Sequence, residues 1–112
     1  MEKASEDAVF KALADPTRRA LLSLLGEEPR PVADLNRHFA MTQPAVSQHL
    51  AVLRNAGLVA ETRSGRNRIY RLNPDPLRLA ASWLEQHTDF WATRLDNLGR
   101  HLRERHGKDA DL

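Results

Sequence analysis

Apolar residues recur at helical spacing through the first half of the chain, alternate over a short middle stretch, and return to helical spacing to the end. Val9, Phe10 and Leu13 form the first stripe. Ser5 is suited to cap that helix, and Glu6 and Asp7 fall in its first turn, where carboxylates meet the positive end of the helix dipole. Ala14-Asp15-Pro16 ends this helix and starts a second, with Asp15 as N-cap and Pro16 as first helical residue. Ala20, Leu21, Leu22, Leu24 and Leu25 give the second helix a wide apolar face, and Gly26 is expected to end it. The polar stretch Glu27-Glu28-Pro29-Arg30 reads as a loop.

Pro31 opens a third, short helix from Val32 to about Phe39, with Val32, Leu35 and Phe39 on one side. Only Ala40-Met41 then precedes Thr42, a good N-cap for a fourth helix running from Gln43 to about Asn55 and closed by Gly57. Two short helices joined by a tight turn suggest a helix-turn-helix. Beyond Gly57 the period changes to two. Residues 58–63 and 68–72 read as the strands of a hairpin whose tip is Ser64-Gly65-Arg66-Asn67. Asn73-Pro74-Asp75-Pro76 breaks the second strand. A long last helix follows from Pro76 to about His106, with Leu77, Leu84, Trp91 and Leu98 every seven residues and Ala81, Leu95 and Leu102 beside them. The expected class is mainly α with a small β-hairpin wing: a winged helix-turn-helix, dimeric. Residues 1–106 form its one domain, with N- and C-terminal helices for dimerisation, and 107–112 form a disordered tail.

With 112 residues, 41% of them hydrophobic, the chain can bury one modest core, and a dimer would add to it. No apolar run is long enough for a membrane span and the N-terminus lacks a signal-peptide pattern, so no membrane partner and a cytoplasmic location are expected. The absence of cysteine agrees, and it excludes disulfides and thiolate metal sites. The net charge of +2 says little, but its distribution says more. Arg30 to Arg71 holds seven arginines and two acids, a net of +5, whereas residues 1–29 carry −2 and residues 72–112 carry −1. A basic middle between acidic ends suggests a surface that meets a polyanion. No nucleophile–base pair, phosphate-cradling glycine loop or paired carboxylates stand out, so an enzyme is not expected.

On a helix, Val46, Leu50 and Leu53 of residues 42–54 cluster as a core stripe, leaving Gln43, Ser47, Gln48, Ala51 and Arg54 outward. This outward face has amides and small groups and no acid. Gln can bond adenine through two hydrogen bonds, Ser several bases, and Ala can touch a thymine methyl. The strings FKALADPTRRALL (10–22), TQPAVSQHLAVLRNAGLV (42–59) and RSGRNRIYRL (63–72) resemble the ArsR family of winged-helix repressors, over about residues 5–105. The resemblance implies a homodimer that represses transcription by binding double-stranded operator DNA with an imperfect inverted repeat. Its two recognition helices would enter successive major grooves, and its wings would reach along the DNA. It further implies base contacts from Gln43, Ser47 and Gln48, with Thr42 or Ala45 nearby, and a packed, hydrogen-bonded role for His49. Arg54, Arg63, Arg66, Asn67 and Arg68 are candidates for the DNA backbone, as are Arg18 and Arg19, for which an internal pairing stands as the alternative.

Members of this family often carry a metal sensor. The cysteine type is impossible here. The carboxylate–histidine type on the last helix is partly echoed by Glu85, His87, His101 and Glu104. However, that motif begins with Asp, and the halves here stand about one helical turn too far apart, so no metal and no other cofactor is expected. The bland account of Trp83, Phe90 and Trp91 is dimer core, which makes Phe10, Leu77, Leu84, Trp91, Leu95 and Leu98 the expected interface. The alternatives are a Zn- or Ni-responsive repressor and a winged helix that binds proteins. No inducer is legible.

Overall fold

A computed structural model describes the backbone of residues 6–110, and the side chains of residue 91 and of residues 102–110 lie outside the described set. Ser5, the expected first cap, and the side chains of Trp91, Leu102 and Glu104 therefore fall outside it. The chain divides into two compact units, Met1–Ala80 and Ala81–Leu112.

In the first unit, α1 (Glu6–Leu13) and α2 (Pro16–Glu27) meet at Asp15, whose carboxylate accepts the Arg18 amide at 3.1 Å as an N-cap should. Gly26 does not end α2. It lies within the helix, which stops one residue later at Glu27 where the chain turns extended at Glu28. The expected loop then contains a strand, β1 (Arg30–Pro31), and α3 (Val32–Asn36) follows at once. α3 is shorter than expected: three successive i→i+3 bonds, from the Arg37, His38 and Phe39 amides, carry the chain onward as a tighter 3₁₀-like turn. α4 (Gln43–Asn55) matches its expected bounds, and Thr42 Oγ1 caps it by accepting the Ala45 amide at 3.4 Å.

The end of α4 shows why Gly57 is there. The Leu58 amide reaches back to the Leu53 carbonyl and the Gly57 amide to the Arg54 carbonyl, both at 2.9 Å, with Gly57 at φ 78°. This Schellman closure needs a left-handed residue, which glycine supplies without a Cβ clash, and it buries Leu53 against Leu58. β2 (Val59–Ser64) and β3 (Asn67–Leu72) follow as an antiparallel hairpin, closed by the two-residue turn Gly65-Arg66 with Gly65 at φ 63°. Glycine at the first turn position with a positive φ is what a type II′ hairpin demands. β1 adds to the other side of β3, pairing Arg30 with Tyr70 and Pro31 with Ile69, so the sheet order is β1-β3-β2. Proline is tolerated there because β1 is an edge strand.

Leu21, Leu35, Val46, Leu50, Leu53 and Leu58 are fully buried, one or more from each of α2, α3 and α4 and from the link to the sheet. At about 1.5–3 kcal/mol for each side chain, their burial is the main force holding α4 at its angle. Phe10, Phe39, Leu72 and Leu77 pack against this core partly buried. α5 (Asp75–Ala110) is assigned as helix four residues past its expected end near His106, and so over part of the expected tail. In the second unit Leu84, Phe90, Leu95 and Leu98 are more than half exposed. No helix among the described residues is long and apolar enough to cross a membrane.

Candidate nucleic-acid interface

α4 presents the surface the sequence pointed to. Gln43 and Gln48 are exposed, Ser47 and Ala45 half-buried, and neither glutamine has a partner among the described residues. Thr42 is exposed but its hydroxyl serves the cap. Pro44 in the first turn costs nothing, because its missing amide would have been unpaired there. No acid lies on the helix, so its outward side offers amide donors and acceptors with no negative charge to repel a phosphate.

Four of the seven arginines in the basic middle lie beside carboxylates of the protein itself. Arg30 lies 2.6 Å from Glu27 and 3.0 Å from Asp34, and its Nε donates to the Leu24 carbonyl. Arg37 pairs with the same Asp34 at 2.7 Å. The hydrogen bonds from Arg30 and then from Arg37 hold the Asp34 carboxyl below the ordinary aspartate range. Arg54 and Arg68 both approach Glu61. Of the remaining three, Arg63 and Arg66 are exposed on the wing with no hydrogen bond or ion pair among the described residues, and Arg71 donates only to the neutral Thr62 hydroxyl. Asn67 is exposed at the start of β3. The unneutralised charge of the middle is therefore on the wing.

Arg18 and Arg19 take the internal alternative. Arg18 Nε and Nη2 donate to the Ala12 and Lys11 carbonyls at 2.7 and 3.0 Å, and Arg19 Nη1 donates to the Leu13 carbonyl at 2.8 Å. Together they satisfy the carbonyls left open where α1 ends. Arg18 Nη1 also lies 3.4 Å from His49 Nδ1. His49 Nδ1 is also 3.8 Å from Asp15 Oδ2, so the half-buried imidazole sits beside both Arg18 and Asp15. The Arg18 amide bond is the chief reason the Asp15 carboxyl sits below its ordinary range.

Sequence reasoning missed two residues. Glu61 accepts the Tyr70 hydroxyl at 2.9 Å, and burial together with this bond pushes the Tyr70 phenol up, so it stays a donor. The signal was present as a lone carboxylate among five arginines between Arg54 and Arg71. Asn73 was read only as a strand breaker, yet its Nδ2 donates to the Gly57 carbonyl.

In the second unit, His87 Nδ1 hydrogen-bonds the Trp83 carbonyl at 2.7 Å while its ring stacks on Trp83 at 4.1 Å. Glu85 and His101 are exposed. His87 and His101 are fourteen residues apart, about 21 Å along one helix, so a single chain cannot bring them to one ion. Arg94 lies over the Phe90 ring at 4.3 Å.

Residues 15–61, from the α2 cap to the middle of the first wing strand, match the family described as "Bacterial regulatory protein, arsR family". The chain is 41% identical over 91 residues to the HTH-type transcriptional regulator Rv2034 of Mycobacterium tuberculosis, covering 81% of this chain and 82% of that protein. It is 37% identical to the transcriptional repressor SdpR of Bacillus subtilis, covering 68% and 84%. A crystal structure of a possible transcriptional regulator for arsenical resistance superposes with a TM-score of 0.70 at 40% identity, over 81% of this chain and 92% of that one. The chain belongs to the ArsR family and is a winged helix-turn-helix transcriptional regulator, not an enzyme.

Proposed function

We propose that the protein is a cytoplasmic homodimeric repressor of its own or an adjacent operon, which places α4 of each protomer in the major groove of an imperfect inverted repeat. The observation that carries this is the pairing of an acid-free outward face on α4 with three wing arginines, Arg63, Arg66 and Arg71, that have no carboxylate partner among the described residues. Gln43, Ser47 and Gln48 read base edges, while the wing arginines hold phosphates without reading sequence. The dimer rests on α5, where Leu84, Leu95 and Leu98 remain 51–64% exposed at the spacing of an interface stripe.

The test is fluorescence anisotropy on the DNA upstream of the gene and on a random duplex, across a salt series. Three phosphates per protomer make six per dimer, so the slope of log K against log salt is expected near about −5. Gln48→Ala should remove about 1–3 kcal/mol of preference for operator over random DNA, and Arg66→Ala should weaken both duplexes alike. A slope near zero, or equal weakening of both duplexes by Gln48→Ala, would show that this face does not read DNA.

A further inference from the structure

Glu61 stands directly opposite Tyr70 in the β2–β3 ladder, with Arg63 opposite Arg68 one step nearer the tip. Alternation puts all four side chains on one face of the wing. One oxygen, Glu61 Oε2, takes the Tyr70 hydroxyl at 2.9 Å and lies 3.5 Å from Arg68 Nη1 and 3.7 Å from Arg54 Nη1. Arg54 comes from the last turn of α4, so this carboxylate joins the helix to the wing. Only the tyrosine is at hydrogen-bond length, and the two arginines are 46% and 36% exposed in their side chains. Their pairing is therefore shallow and easily exchanged for another anion. Arg63 and Arg68 face each other with like charge, an arrangement that is unfavourable in a sheet unless an anion shares that face.

We propose that Glu61 is an internal substitute for a DNA phosphate: a positioning residue that occupies Arg54 and Arg68 in the free protein and so limits the affinity for duplexes of any sequence. Carboxylate and phosphate oxygens compete for the same guanidinium donors. Tyr70, a neutral donor, keeps Glu61 satisfied when the arginines turn outward. This role rests on the DNA binding proposed above, and it divides the candidate phosphate-binding arginines into two classes, ready on the wing (Arg63, Arg66 and Arg71) and withheld by Glu61 (Arg54 of α4 and Arg68 of the wing).

The experiment is the same salt series on operator and random duplexes with Glu61→Gln, which keeps the shape and an acceptor for Tyr70. Release of both arginines should tighten binding to the two duplexes equally and make the slope more negative by about 0.9 for each arginine freed. An unchanged or shallower slope in a variant that still unfolds cooperatively on heating overturns the role, as does a gain confined to the operator. Arg68→Gln and Arg66→Gln in otherwise unsubstituted protein give an arm that needs no change at Glu61. Arg66→Gln should cost about 0.9 of slope per protomer and Arg68→Gln clearly less. Equal losses would mean Arg68 is not withheld. Failure of the unsubstituted protein to bind any duplex overturns the repressor function as well, whereas normal operator binding with no response to Glu61→Gln overturns the substitute role alone.

Discussion

Asn73 donates its Nδ2 to the Gly57 carbonyl at 2.9 Å, tying the segment that leads into α5 to the glycine that closes α4. Its backbone amide donates to Leu58 at 2.8 Å, and its Oδ1 accepts the Asp75 amide at 3.3 Å. Asn73→Ala leaves the part-buried Gly57 carbonyl unpaired and should cost about 1–3 kcal/mol. Asn73→Asp keeps the acceptor for Asp75 but sets a carboxylate against a carbonyl, so it should be no milder. Urea unfolding would show this as a lower midpoint at unchanged slope. A neutral Asn73→Ala would mean the link carries no stability.

The two helix-end glycines should respond to alanine with opposite signs. Gly57 is left-handed, so Gly57→Ala should destabilise by about 1–2 kcal/mol. Gly26 is helical, and a Cβ there would meet Leu72 Cδ2 at an ordinary 3.9 Å. Gly26→Ala should therefore stabilise by about 0.5 kcal/mol. Thermal unfolding of the two variants side by side reads the difference directly.

Acid should weaken the protein through two carboxylates in particular. Asp34 is held low by bonds from Arg30 and Arg37, and Asp15 by the Arg18 amide. A depressed folded-state pKa gives stability that is complete above the unfolded value of about 3.9 and is lost as pH falls through the lower folded value. Denaturant midpoints should thus hold near neutrality and fall below about pH 4. Asp34→Asn should start lower at neutral pH and fall less steeply in acid. An acid limb identical to that of the unsubstituted protein would remove the Arg30 and Arg37 pairs from the account.

Leu98 is 55% exposed on α5. If that stripe is the dimer interface, Leu98→Asp puts two charges at a twofold contact and should give monomers, or unfolded chains if the protomer cannot stand alone. Operator binding should fail in either case. Sedimentation at micromolar concentration decides it: a persisting dimer places the interface elsewhere.

The features that could be read from sequence are those whose causes are local. Thr42, Gln43 to Asn55, and Gly57 bound α4 because a cap, an apolar stripe and a left-handed stop all lie within one segment. The outward residues Gln43, Ser47 and Gln48 followed from the same periodicity. β1 was invisible because two residues, one of them proline, have no period, and their pairing with Ile69 and Tyr70 lies some forty positions away. Gly26 looked like a stop, but a glycine ends a helix only when it turns left-handed, and a sequence does not reveal φ. Arg68 was sorted by charge alone, and for Arg18 the choice between DNA and an internal partner stayed open. Where a long cation ends up depends on which carbonyl or carboxylate the fold brings within reach, as Ala12 and Glu61 show.

One guanidinium, that of Arg18, meets the last carbonyls of α1 and the imidazole of His49 on α4. It follows that residues 42–55 are not a portable reading head. Transplanted into another scaffold, they would keep the Thr42 cap and their amides but lose the brace that fixes their roll about the helix axis. A chimera meant to carry this specificity must bring Asp15, Arg18 and the end of the first helix with it.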